Sequence, residues 1–308
     1  RRPLDQEVPT SAARMHEAMM EEYKTENDYG DTRNLRVWHL AAAVFMALQA
    51  GIINASKVDA DIPQAVSFPD RSNEQGPRGQ IDIRQYGTLQ VQGLIVIFLT
   101  LAAADHFASV LVAYCAPETF RSWVLKYKAN PLRWLEYSVS ASCMTVLLGA
   151  LTGIYDVHIL FMLGVATGIC NLMGLIIEIL PRHLLVPPGS SEGLKRPQTD
   201  PVSVGGVNLR TLVRGAGLMA FWFAALLLVC AFLVIICYFS QATPPDFVYI
   251  AFYGTIVAYA TFAINMFLER FLGMYDFVRA EKVYIVLSFT AKTFLAWDVY
   301  GGFKAAEN

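Results

Sequence analysis

The chain has 308 residues, of which 55% are hydrophobic and only 16% charged, well below the roughly 25% typical of soluble domains. Together with a positive mean hydropathy, this describes a membrane protein, and a net charge of −2 excludes a basic nucleic-acid binder. Cys115, Cys143, Cys170, Cys230 and Cys237 all fall within or at the ends of apolar stretches without metal spacing, so neither a disulfide framework nor a zinc site is expected.

Residues 1–34 are a polar, acidic cytoplasmic tail without the apolar core of a signal peptide. Within it, the segment from His16 to Tyr23 has the composition of a short surface helix. Seven apolar spans follow, at about 35–55, 88–115, 131–154, 157–180, 209–240, 246–269 and 282–303. Each is long enough to cross a bilayer, and each must do so as a helix, because lipid cannot satisfy backbone polar groups. The fold class is therefore all-α, a seven-helix membrane bundle occupying residues 35–303, with a short tail at 304–308. The first loop, about 56–87, carries turn chemistry at Ser67-Phe68-Pro69-Asp70 and Gln75-Gly76-Pro77-Arg78-Gly79. Ile81-Asp82-Ile83-Arg84 alternates like a strand. A small β-hairpin over one mouth of the bundle is expected there. The fourth loop, 181–208, is rich in Pro, Gly and Ser and is expected to be mobile.

Lysine and arginine set the orientation. The N-terminal side and the second, fourth and sixth loops carry Lys24, Arg33, Arg36, Arg121, Lys126, Lys128, Arg133, Arg182, Lys195, Arg196, Arg210, Arg214, Arg270, Arg279 and Lys282. The third loop, Tyr155-Asp156, and the fifth, Gln241 to Pro245, carry none. The positive-inside rule puts the N-terminus in the cytoplasm and the C-terminus outside. This is opposite to animal opsins and light-driven pumps.

Lys292 is the most informative residue. It lies about eleven residues from either end of an otherwise apolar span, which at ~1.5 Å rise per residue is near the middle of a bilayer. A charged lysine there costs roughly 2.5–3.5 kcal/mol, and its stem is too short to reach the interface. It needs a buried carboxylate, or it must stop being a free amine by forming a Schiff base with an aldehyde. Glu136 in the third span, with Arg133 and Ser140 on the same helical face, is the candidate carboxylate; the alternative is a glutamate near the cytoplasmic boundary paired only with Arg133. Ser288, one turn before Lys292, is placed to hydrogen-bond its nitrogen.

His39 in the first span and His106 in the second fall in the cytoplasmic half, where they could share a proton store with Glu136. Neighbouring Asp105 is compatible with facing a cavity, pairing with a neighbour or carrying a proton. The aromatics of the fifth and sixth spans, among them Phe221, Trp222 and Phe262, suit packing, with a subset lining an elongated pocket. Glu178 and Glu269-Arg270, at helix ends, fit an interfacial role.

Arg133-Trp134-Leu135-Glu136-Tyr137-Ser138 resembles the heliorhodopsin family, an inverted-topology branch of the microbial rhodopsins. The resemblance extends to the run from Tyr284 to Trp297, to Trp38-His39-Leu40 and to His106-Phe107, and covers about residues 35–303. It implies all-trans-retinal bound as a Schiff base on Lys292, with Glu136 as counterion and Ser288 beside it. His39, His106, Asp105 and Ser140 would form the proton-accepting polar cavity, and Tyr137, Trp222 and Phe262 would line the retinal pocket. The resemblance further implies a light-sensing, non-enzymatic homodimer in the plasma membrane, with a slow photocycle and no active pumping. The longer N-terminal tail, the longer fourth loop and Asp105 depart from the family pattern.

The residues favour the non-pump expectation. An outward pump of the familiar kind places a second carboxylate where this chain has Ser288, and a proton donor where it has Leu147. Two outputs remain open. One is a photosensor acting through a changed cytoplasmic surface or an unknown partner. The other is a light-gated passive proton conductance.

Overall fold

In this computed structural model the described residues are 11–56, 58, 60–69, 81–187, 203–204 and 207–306. Seven long α-helices dominate them: α1 (Ser11–Ala55), α2 (Val91–Cys115), α4 (Pro131–Leu151), α5 (Val157–Ile179), α7 (Leu209–Phe239), α8 (Asp246–Met266) and α9 (Phe277–Ala306). The short α3 (Pro117–Arg121) and α6 (Arg182–Leu185) lie in connections. Six helical stretches are long and apolar enough to span a bilayer: Thr32–Ala55, Val91–Cys115, Pro131–Leu151, Val157–Ile179, Leu209–Phe239 and Asp246–Leu272. α9 is long enough at 30 residues, but Lys292 and Asp298 dilute its apolar character.

Local chemistry sets the helix ends. Asn130 caps α4, accepting from the Arg133 amide, and Pro131 follows at the first helical position, where its missing N–H costs nothing. Asp156 caps α5, accepting from the amides of His158 and Ile159 at 2.9 and 3.3 Å. Asn208 does the same for α7. α8 continues into a π-helical turn, Phe267–Leu272, which ends at Gly273 with φ +62°, a conformation suited to glycine. A second π-helical turn, Ser122–Tyr127, ends at Lys128, a non-glycine residue at φ 54°.

Several boundaries differ from expectation. The first span is the C-terminal part of a continuous helix that begins at Ser11, so the short helix expected over 16–23 is merged with it. α9 starts at Phe277 and runs to Ala306, beyond the expected 282–303 at both ends. The first loop contains an antiparallel strand pair, β1 (Asp61–Pro69) with β2 (Ile81–Gln90), in register Asp61↔Gln90 to Pro69↔Ile81 with one bulge at Gln64/Ala65. The turn expected at Ser67-Phe68-Pro69-Asp70 is instead strand through Pro69, where β1 pairs with β2; Asp70 and the turn expected at 75–79 lie outside the described residues, as do 1–10 and most of the fourth loop. What is described of that loop includes α6 and a two-residue strand pair, β3 (Ser203–Val204) and β4 (Val207–Asn208).

β1 is fastened to the turn between α4 and α5. The Ala65 amide donates to the Tyr155 carbonyl at 2.8 Å, and Ser67 Oγ donates to Asp156 Oδ2 at 2.8 Å. Within the bundle, α1 packs on α2 and α9, α2 on α4, α4 on α5, α5 on α7, and α8 on α9. One apolar core, with Met46, Phe98, Leu99, Leu147, Leu295 and Val299, fills the end nearest β1 and β2. A second core, around Trp134, Tyr137, Ile177, Phe271 and Tyr284, fills the other. Lys292, Glu136 and the buried polar groups around them lie at and beyond the junction of these two cores.

Candidate functional site

Lys292 is 3% exposed and meets Glu136, 8% exposed, across the bundle. Its Nζ donates to Glu136 Oε1 at 2.8 Å and Oε2 at 3.0 Å, and to Ser288 Oγ at 3.0 Å. An ammonium has three N–H donors and here it has three acceptors. Neither charge could stay buried alone at acceptable cost, and each compensates the other. The Tyr137 ring lies beneath the ammonium, 5.0 Å from Nζ to the ring centroid. Helical spacing explains the set: Ser288 and Lys292 are one turn apart on α9, and Glu136 and Ser140 one turn apart on α4.

An apolar cavity opens on Lys292 between α4, α5, α7, α8 and α9. Among the described residues lining it, Lys292 is the only charged one, with Ser288 and Ser140 beside it. Trp134, Tyr137, Met144, Phe221, Leu228 and Phe262 supply apolar walls, while Ala141, Gly174, Ala224, Ala225 and Ala263 leave room. Gly174 is a cradle in the strict sense: a Cβ there would stand 2.2 Å from the Trp134 ring. Tyr137 and Phe262, both expected in the pocket, meet edge-to-face at 5.3 Å. A long apolar aldehyde fits such a chamber, with its reactive end at the amine and its body against aromatic rings.

Trp222 is corrected. It is 64% exposed and is not part of the cavity wall, which Phe221 supplies instead. Successive helical residues point about 100° apart, so an inward Phe221 turns Trp222 outward toward lipid.

His39 and His106 come together as expected, with Nδ1 to Nδ1 at 3.1 Å. Asp105 Oδ2 lies 3.6 Å from His106 Nδ1, and His39 Nε2 lies 3.9 Å from Glu281 Oε1. Asp105 is buried and feels the charges of Glu136 and Lys292. Ser140 is fully buried, and its hydroxyl has no hydrogen-bond partner among the described residues.

The interfacial assignment of Glu178 and Glu269-Arg270 is also corrected. All three are 1–2% exposed and belong to a buried ion cluster. Arg133 turns away from Glu136 to pair with both Glu178 and Glu281. Glu178 also accepts from Trp134 Nε1 at 2.5 Å and from the Asn130 amide at 3.0 Å, and faces Arg270 at 3.3 Å. Arg270 reaches Glu269 at 2.8 Å and donates to the carbonyl of Lys128, the residue held at positive φ. Arg182 completes the group, 2.6 Å from Glu269. The Arg133 guanidinium sits 4.0 Å from the centroid of the Tyr284 ring, whose backbone carbonyl accepts from Tyr137. The cluster thus adjoins the pocket's aromatic wall. Its sequence signal was a matched set of Arg and Glu at the same depth in several helices.

The fold and this site define an integral multi-pass membrane protein: a helical bundle enclosing a lysine-bearing apolar chamber. The chain matches the family model described as Heliorhodopsin over residues 35–186 and 207–303, and it belongs to that family. It is therefore a rhodopsin-like retinal protein. A search of curated proteins gives no match.

Proposed function

We propose that this protein is a photoreceptor in which all-trans-retinal is bound to Lys292 and Glu136 is the counterion. The observation that carries the proposal is the approach of Lys292 Nζ to both Glu136 oxygens, at 2.8 and 3.0 Å, on the wall of an apolar chamber. The retinal, held as a protonated Schiff base, supplies visible absorption and a light-driven isomerisation. The protein's residues do the rest. Tyr137 and Phe262 confine the chain, Ser288 and Glu136 hold the proton at the lysine nitrogen, and the chamber excludes water from it. Once light has disturbed that arrangement, Glu136 is the nearest base, with Ser140, His39, His106 and Asp105 as the wider proton store.

In this reading seven helices cross the membrane, α9 included, with the N-terminus cytoplasmic and the β1–β2 hairpin outside. The chain works as a homodimer with a slow photocycle and no active pumping, and signals through its cytoplasmic surface to a partner. Two residues support the absence of pumping. Ser288 occupies the place of a second carboxylate, and Leu147, fully buried and apolar, occupies the place of a donor. Light-gated passive proton conductance is the second reading, favoured by a buried Asp105 beside His106.

Adding all-trans-retinal to the expressed protein should produce a visible band that Lys292→Ala abolishes and Glu136→Gln moves to the red. A band surviving Lys292→Ala would sink the proposal. Voltage-clamped cells separate the two outputs: the photosensor passes no photocurrent at any voltage, whereas a conductance gives a current that reverses with voltage.

A further inference from the structure

Four buried side chains from three helices stand in one line, from Asp105 and His106 on α2 through His39 on α1 to Glu281 on α9. The separations are 3.6, 3.1 and 3.9 Å. The central contact is closed to hydrogen-bond distance, and the two outer ones are one small side-chain rotation short of it. Asp105 Oδ1, His106 Nε2 and His39 Nε2 have no hydrogen-bond partner among the described residues. Groups serving only to pack would have their polar atoms satisfied. At its far end the line enters a small cavity lined by His39, Ser109, Trp123, Asn130, Phe277 and Glu281, at the ion-cluster end of the bundle.

We propose that Asp105, His106, His39 and Glu281 form a proton relay whose terminus is Glu281. The relay rests on the reading of Lys292 and Glu136 as the light-driven pair, because α2, which carries Asp105 and His106, packs on α4 and α9, which carry Glu136 and Lys292. In the starting state Asp105 is a carboxylic acid, His106 Nδ1–H donates to His39 Nδ1, and His39 carries its proton on Nε2, facing the Glu281 carboxylate. His106 passes its proton to His39 Nδ1. His39 releases the Nε2 proton to Glu281 Oε1, and Asp105 refills His106 Nδ1. Two N–H bonds and one O–H bond break, and two N–H bonds and one O–H bond form. One negative charge moves from Glu281 to Asp105. The tautomer change in His39 gives the step its direction across the ring.

The terminus has a consequence of its own. Glu281 accepts from Asn130 Nδ2 at 2.7 Å and pairs with Arg133, which also holds Glu178. A proton on Glu281 removes one of the two anions facing Arg133 and loosens the cluster that joins α4, α5 and α9. The relay thus converts a charge change at the lysine into a change at the end of the bundle.

The test uses the full chain in lipid and has two arms. In the retinal-free protein, nitrogen-15 NMR of the histidines should show His39 and His106 sharing one hydrogen bond, and Glu281→Gln should change the His39 tautomer ratio. An unchanged ratio overturns the relay whether or not retinal binds. In the retinal-bound protein, light-minus-dark infrared spectra should show loss of the Asp105 carboxylic acid C=O band and gain of a Glu281 one, told apart from any gain at Glu136 by its absence in Glu281→Gln. Asp105→Asn should remove both, and so should Glu281→Gln, which leaves the proton without an acceptor. His39→Gln, which keeps the Asn130 and Arg133 partners of Glu281, should also remove both bands. A Glu281 gain that survives His39→Gln overturns the relay, whereas the lack of any visible band in the unmutated protein refutes the Lys292 reading instead.

Discussion

At the scale of single residues, the site depends on compensation between two buried charges. Lys292→Ala leaves the Glu136 carboxylate, 5% exposed, without its cation. Removing one partner of a buried pair costs about 3–5 kcal/mol. The retinal-free Lys292→Ala protein should therefore unfold at lower temperature, and adding Glu136→Gln should restore much of the loss. Thermal unfolding of the single and double variants checks this, and equal destabilisation in both would show that the charges do not compensate each other. Gly174 allows a second prediction. An alanine Cβ would stand 2.2 Å from the Trp134 ring, an overpacking of about 1–3 kcal/mol that also pushes the ring into the chamber. Gly174→Ala should bind retinal more weakly, seen as a smaller visible band at the same protein level. Lys292, Glu136 and Ser288 were legible in the sequence because each interrupts an apolar run at a depth where lipid offers nothing to a polar group. Trp222 was misplaced because its apolar surroundings are equally apolar on the lipid and chamber sides. Only packing distinguishes the two.

At the scale of elements, the ends of the helices were the least legible. The positions of Glu178 and Glu269-Arg270 along the chain suggested an interface with water, whereas these three, like Arg133 and Glu281, are all 1–2% exposed by side chain. Sequence position reports depth along a helix, but not whether a side chain points to water or to another helix. Arg133→Gln would leave Glu178 and Glu281 facing each other's charge. It should cost about 3–5 kcal/mol, more than Arg121→Gln, whose side chain is 37% exposed and pairs with an exposed Glu118. Denaturation midpoints in detergent compare the two. The strand pair was anticipated through the alternation at residues 81–84, but its anchorage was not, since Ser67 and Asp156 are 89 positions apart. Burial alone would raise the Asp156 pKa, yet hydrogen bonds from Ser67 and from the His158 and Ile159 amides outweigh it and hold the carboxyl below its ordinary 3.8. A depressed carboxyl stabilises the fold above its unfolded pKa and loses that contribution as pH falls through the folded one. The Ala65 amide, bonded to Tyr155, should stay protected from exchange at neutral pH and lose protection only below about pH 3.8. Ser67→Ala should move that loss to higher pH.

At the scale of the whole molecule, orientation rests on charge asymmetry, and burial refines which charges count. Arg133, Arg182 and Arg270 are buried and paired in the ion cluster, so they serve the fold as well as the asymmetry. Arg121, Lys126, Arg210, Arg214, Arg279 and Lys282 are at least partly exposed at the same end. The opposite turns, at Tyr155-Asp156 and Gln241 to Pro245, have no lysine or arginine. The bias therefore survives removal of the buried cations, and it supports the proposed orientation, in which the α2–α4 connection is cytoplasmic and the α4–α5 turn outside. Lys126 and Tyr155, both exposed, mark those two faces. With the exposed native cysteines Cys115, Cys230 and Cys237 replaced, Tyr155→Cys should react with a membrane-impermeant maleimide in intact cells. Lys126→Cys should react only after lysis. The reverse pattern would turn the molecule over. The histidine pair, Glu281 and the ion cluster would then face outward, and any signal they carry would leave the cell instead of entering it.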